Sequence, residues 1–170
     1  GLLMLGGRSS FAEGGWVGTP VEEVMPIVLG EPEGGEDGFF AEIDVRPTPA
    51  GLAHAAVQLG QDGEAVSARW DSLPPVTIVN PISEVRPGAT ELLTGTSRDL
   101  PYDQVVLAFQ RYGRGKSIAM TVQDSWLWQM IPAVEDQSHE TFWKQLLRWL
   151  IDGVPDAVEA ITDQEQVEPG

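Results

Sequence analysis

The run Leu2–Leu3–Met4–Leu5, followed at once by Gly6–Gly7, opens the chain. Four apolar residues in a row leave no polar face. The run therefore reads as a strand buried on both sides, the pattern of a parallel sheet covered by helices. The glycine pair ends it where the backbone must turn freely or pass close to another segment. A domain seldom begins in a central strand, so earlier elements are expected ahead of Leu2, and the chain reads as part of a longer protein.

Working outward, residues 8–20 form a loop anchored by Phe11 and Trp16. Pro20 to Met25 is a short helix, with Thr19 as its N-cap and Pro20 at the first position. Ile27–Val28–Leu29 is a short strand, and the acidic, glycine-rich Glu31 to Gly38 is a surface loop. Phe39 to Arg46 alternates as a strand does. Leu52 to Leu59 and Glu64 to Leu73 read as short helical segments, the second stopped by Pro74–Pro75. Val76 to Val79 and Thr90 to Thr94 read as strands.

Gln104 to Gln110 and Ser117 to Val122 flank a glycine-bearing turn and predict a β-hairpin. Asp124 to Pro132 is an aromatic loop. Ser138 to Ile151 is the clearest helix, with Phe142, Leu146 and Leu150 on one stripe and Lys144 and Arg148 pointing out. Asp136 or Ser138 is expected to cap it. From Asp152 the tail to Gly170 carries six acidic residues and no basic one, so the reading is an α/β domain over 1–151 with an acidic tail over 152–170.

The 170 residues suit one domain, and a 42% hydrophobic content supplies a core. The net charge of −16 opposes binding to nucleic-acid phosphates and to anionic membrane surfaces. No run of apolar residues is long enough to insert into a bilayer. Cysteine is absent, which excludes disulfides, thiolate catalysis and cysteine-ligated metals. Only His54 and His139 supply imidazoles. Neither has a metal-spaced partner, so no metal and no cofactor is expected.

Three segments together carry a resemblance. The first is Leu2 to Phe11 with Gly14–Gly15–Trp16–Val17–Gly18–Thr19–Pro20; the second is Tyr112 to Thr121 with Asp124–Ser125–Trp126–Leu127–Trp128; the third is His139 to Leu150. As a set they resemble the glutamine amidotransferase-like domain of large bacterial proteins that often also carry transmembrane helices and a von Willebrand factor A domain. The resemblance implies a flavodoxin-like, class I amidotransferase-like sandwich with a mainly parallel sheet, lacking here its N-terminal β–α–β portion. It also implies a membrane-attached parent protein whose other domains are the partners.

The same comparison argues against amidotransferase chemistry, which needs a cysteine on a strand-to-helix turn and a histidine to activate it. The corresponding turn offers Gly6, Gly7 and Arg8, and the region after the strand Ile118 to Val122 offers Gln123 and Asp124. The domain is therefore expected to be a pseudoenzyme that binds a ligand or a protein. Gly6, Gly7, Arg8, Ser9, Asp124 and Trp126 are the candidate ligand-binding residues, in the crevice at the carboxyl ends of the strands.

The alternative is a hydrolase or amidase built from Ser9 or Ser10, His54 and Asp124, which would have to converge within hydrogen-bond reach. Gly7–Arg8–Ser9–Ser10–Phe11 lacks the final glycine of a nucleophile elbow. Gly113–Arg114–Gly115–Lys116–Ser117 contains the end of a phosphate-binding loop, but Gln110 stands where its first glycine belongs and a strand follows. Glu31, Glu36 and Asp37 do not match a calcium-loop spacing. Trp126, Trp128, Trp143 and Trp149 read as core under the last helix, with a ligand-facing or partner-facing wall as the alternative. Finally, the Leu2–Leu5 strand leaves an edge to be covered, and self-association through it is expected.

Overall fold

The computed structural model describes residues 1–31, 40–60 and 65–153. Most of the predicted acidic loop, including Glu36 and Asp37, lies outside them, as do residues 61–64 and the tail from 154. The strands are β1 (Leu2–Leu5), β2 (Ala41–Pro47), β3 (Val76–Ile78), β4 (Thr90–Thr96), β5 (Gln104–Tyr112) and β6 (Gly115–Met120). The helices are α1 (Pro20–Val24), α2 (Pro49–Leu52), α3 (Val66–Asp71), α4 (Leu127–Met130) and α5 (Ser138–Ile151), with a 3-10 turn over Ala55–Val57.

The six strands form one sheet in the order β1-β6-β5-β4-β2-β3. Consecutive strands linked by short connections must run antiparallel, and β5 and β6 do so around the two-residue turn Gly113–Arg114, pairing Tyr112 with Gly115. Gly113 takes a positive φ of 57°, as a tight hairpin turn demands of its first residue. The β4–β5, β2–β4 and β2–β3 pairs are antiparallel as well. Only β1 and β6 run parallel, Leu2 opposite Ser117 and Leu5 opposite Met120.

The sheet is therefore mixed and mostly antiparallel. This corrects the expectation of a mainly parallel, flavodoxin-like or amidotransferase-like sandwich. The physical reason lies in β1. Its burial on both sides does not come from a central position: it is an edge strand, with Leu3 packed into the core under α5 and Met4 into the core on the opposite face. The missing β–α–β portion was implied by the resemblance to that sandwich, which this sheet does not form.

Each face has its own core. On one, Phe142, Leu146 and Leu150 of α5 pack with Ala56, Val57, Trp70 and Trp128 against Ile43, Val76, Val106, Ile118 and Met120. Trp70, Trp128 and Phe142 meet edge to face, with ring centroids 5.3–5.7 Å apart, the arrangement that aromatic quadrupoles favour. Both indoles are satisfied, Trp70 Nε1 donating to Val57 O at 2.9 Å and Trp128 Nε1 to Pro74 O at 3.1 Å.

On the other face, irregular chain supplies the cover. Phe11, Met25, Ile27, Leu29 and Ile82 pack on Val105, Ala108 and Ala119. An antiparallel bridge, Ile27 with Val85, ties two of these segments together. A second bridge, Ile78 with Val122, ties β3 to the chain leaving β6, so the sheet curls back on itself at that corner.

Candidate functional site

That corner gathers the residues after β1, after β3 and after β6. Gly6 N donates to Met120 O at 2.6 Å, and a Cβ on Gly6 would stand 2.1 Å from Thr121 O. Only glycine allows the two backbones to approach so closely. Gly7 is held by two side chains. Its N–H donates to Ser10 Oγ at 2.8 Å, and its carbonyl accepts from Ser10 Oγ at 2.8 Å and from Asn80 Nδ2 at 2.9 Å. The turn then passes through Phe11, fully buried at a left-handed φ of 55°. Opposite, Asp124 Oδ1 accepts from Thr77 N at 2.6 Å, and Gln123 N donates to Thr77 O at 3.2 Å.

The structure thus brings Gly6, Gly7 and Ser10 together, with Asp124 engaged on Thr77 of β3. Arg8 and Ser9 are exposed, and Trp126 is 55% exposed. No deep crevice is needed to explain Gly6, because Thr121 and Val122 fill the space beside it. Sequence reasoning missed Asn80, the residue that locks the Gly7 carbonyl. Its only signal was its place before Pro81 at the end of a strand.

The catalytic candidates do not converge. Ser10 spends its hydroxyl on Gly7, and Asp124 spends a carboxylate oxygen on the Thr77 amide. His54 belongs to the opposite face. Its ring lies 5.1 Å from that of Phe109 and 4.9 Å from that of Trp149, and its Nδ1 accepts from Ala56 N at 3.2 Å. Burial, and secondarily the nearby Lys116 ammonium, hold this imidazole below its ordinary pKa. Among the described residues no group of three or more potential ligands is placed to hold a metal ion.

Of Trp126, Trp128, Trp143 and Trp149, three lie in or against the core. Trp128 is core, and Trp143 and Trp149 pack half-buried against it. Trp126 alone faces outward, near the exposed Met130, Ile131 and Val134. No helix among the described residues is long and apolar enough to cross a membrane.

The remaining feature is an edge. β1 stands at the end of the sheet, and no described strand pairs with its outer side. Gly6 N–H points to β6. Alternation along the strand then aims Met4 and Leu2 the same way and turns the N–H and C=O of Leu3 and Leu5 outward. Leu5 is 47% exposed beside these groups, which no described residue pairs.

No protein-family model matches the chain, and no curated protein matches it. Two solved structures share its fold. The cytoplasmic protein STM3548 from Salmonella typhimurium superposes with a TM-score of 0.62 at 21% identity, over 88% of this chain and 54% of that one. The cytoplasmic protein STM1381 from Salmonella typhimurium LT2 gives 0.61 at 19% identity, over the same shares. The chain spans about half the length of these neighbours. At such identities the likeness is one of fold alone.

Proposed function

We propose that the domain is a non-catalytic binding module whose docking element is the outer edge of β1, and that its partner there is a second copy of the chain. The observation that carries this is the strand itself: apolar, paired on one side only among the described strands, with the backbone groups of Leu3 and Leu5 turned outward. Such an edge is a template for strand addition. The spent hydrogen-bonding capacity of Ser10 and Asp124, and the placing of His54 on the opposite face, support a binding role over hydrolysis.

The charge of −16 on each copy opposes the approach of two chains. Association should therefore strengthen as salt screens the repulsion. Light scattering across a concentration series tests the reading, with Leu5→Pro as the control. Proline at position 5 removes an outward N–H and leaves the β6 pairing intact. Concentration-dependent dimers that Leu5→Pro abolishes are expected; a monomer at high concentration and high salt would overturn the assignment. Ester or amide turnover that Ser10→Ala destroys would restore the hydrolase.

A further inference from the structure

Both histidines of the chain meet α5, one near each end, and both use a ring nitrogen as a hydrogen-bond acceptor. At the C-terminal end, the His54 ring packs on Trp149 while its Nδ1 accepts the Ala56 amide, fixing the 3-10 turn that lies under the helix. At the N-terminal end, His139 Nε2 accepts from Trp143 Nε1 at 3.0 Å. The i, i+4 spacing places those two side chains one above the other. Each bond needs a neutral imidazole, since a protonated ring has two donors and no acceptor.

We propose that His54 and His139 form an acid-sensitive latch on α5, His54 fixing the 3-10 turn beneath its C-terminal end and His139 fixing the core-packed Trp143 ring at its N-terminal end at neutral pH, each bond being lost when its ring takes up a proton. The helix is the element most worth latching. Phe142, Leu146 and Leu150 cover one face of the sheet, and α5 also lies over β6.

The surroundings of His54 oppose its charging. Lys116 of β6 sits with Nζ 4.5 Å from the Trp149 ring centre and donates to Trp149 O at 2.7 Å and Asp152 O at 3.0 Å, closing the C-terminal end of α5. Arg111 of β5 and Arg148 of α5 are exposed cations in the same region, and the segment Thr48 to Val57 contributes no charge. Asp152, its carboxylate 3.6 Å from Lys116, is the anion paired with that lysine among the described residues.

Around His139 stand Glu140 and Lys144 of α5, paired with each other, then Glu135 and Asp136 before the helix, and Arg69 of α3, bonded to Ser138 and Asp136. α4 adds no charge. His139 also sits in the first turn of α5, where the helix dipole disfavours a cation.

Burial lowers the pKa of both rings, with Lys116 adding to the effect at His54. Above the ordinary value of 6.5, folded and unfolded chains both hold neutral rings, and the histidines add no pH dependence. As pH falls through 6.5 toward the folded-state values, the unfolded chain binds protons first, and stability is lost.

The test is amide hydrogen exchange between about pH 7.5 and 5.5, corrected for intrinsic rates, above the range where most carboxylates titrate. In the wild type, exchange in α5 should accelerate several-fold relative to β5 as pH falls. In the double variant His54→Asn, His139→Gln, side-chain oxygens take over both acceptor roles and cannot protonate, so the α5-to-β5 ratio should stay level. The ring resonances give a second readout, each titrating below 6.5 in the folded protein. An equal acid response in wild type and double variant would overturn the latch. So would an acceleration shared by α5 and β5, or a ring that titrates at or above its ordinary value.

Discussion

On one face of the sheet the cover is α5, a 14-residue helix backed by the 3-10 turn and α3; on the other it is the short helix α1 within otherwise irregular chain from Phe11 to Leu29, and the chain around Ile82. Along most of its length α5 satisfies its own backbone, and the sheet meets it with apolar side chains except at its C-terminal end, where Lys116 takes the Trp149 and Asp152 carbonyls. A five-residue helix set in irregular chain cannot do this, and the carbonyls at its C-terminal end must find donors elsewhere. The sheet supplies them. Gln110 of β5 donates from Nε2 to Val24 O at 2.9 Å and Met25 O at 3.0 Å, and Ser117 Oγ of β6 donates to Val24 O. Two buried polar residues in central strands are thus the counterpart of a loop that packs like a layer.

Breaking the helix face should cost most. Phe142→Ala empties the middle of the Trp70–Trp128–Phe142 cluster, and chemical denaturation should register a loss of about 3–5 kcal/mol. Gln110→Leu attacks the other face through its polar anchor. It leaves the Met25 carbonyl without its donor and the Val24 carbonyl with Ser117 alone, at a cost of about 1–3 kcal/mol. If Gln110→Leu proves neutral, the loop face is held by apolar contact alone and the contrast fails.

A finer test is the strained ring on the loop face. Phe11→Gly and Phe11→Ala remove the same buried side chain, but only glycine accepts the left-handed backbone without penalty. The glycine variant should be the more stable of the two by about 1 kcal/mol. Smallest of all is the effect of Leu5→Pro on stability, since its amide has no partner among the described strands. The same variant decides the association state, so a large loss of stability would show that the Leu5 N–H is already engaged.

The contrast between the faces also explains what could be read in advance. Ser138 to Ile151 forms a helix with those bounds, and its Phe142–Leu146–Leu150 stripe is buried, because helical periodicity is local. Its cap is less regular. The N-cap residue is Gln137 without a side-chain bond, although Asp136 Oδ1 does take the Ser138 amide at 2.8 Å. Thr19 and Pro20 begin α1 as expected, and the hairpin from Gln104 onward needs only its own turn.

Pairing direction is different in kind. Leu2–Leu3–Met4–Leu5 reads the same whether its neighbours are helices and parallel strands or one strand, a helix and a loop, and nothing in four apolar residues selects between them. The aromatic segment after Asp124 folded further than a loop, into α4, once Trp128 found the Pro74 carbonyl. At the corner, Gly6, Gly7 and Ser10 were legible as a special turn. Asn80, more than seventy residues away in the chain, was not.

The parallel pairing of β1 with β6 has a consequence for how the protein is made. Of the described strands β1 leaves the ribosome first, yet the only strand it pairs with begins at Gly115, after β2 to β5 have all been synthesised. Closing so long a loop is entropically slow, and contacts this distant in sequence form late. Until then a short greasy segment travels unpaired on both sides, the condition in which nascent chains recruit holdase chaperones or capture one another.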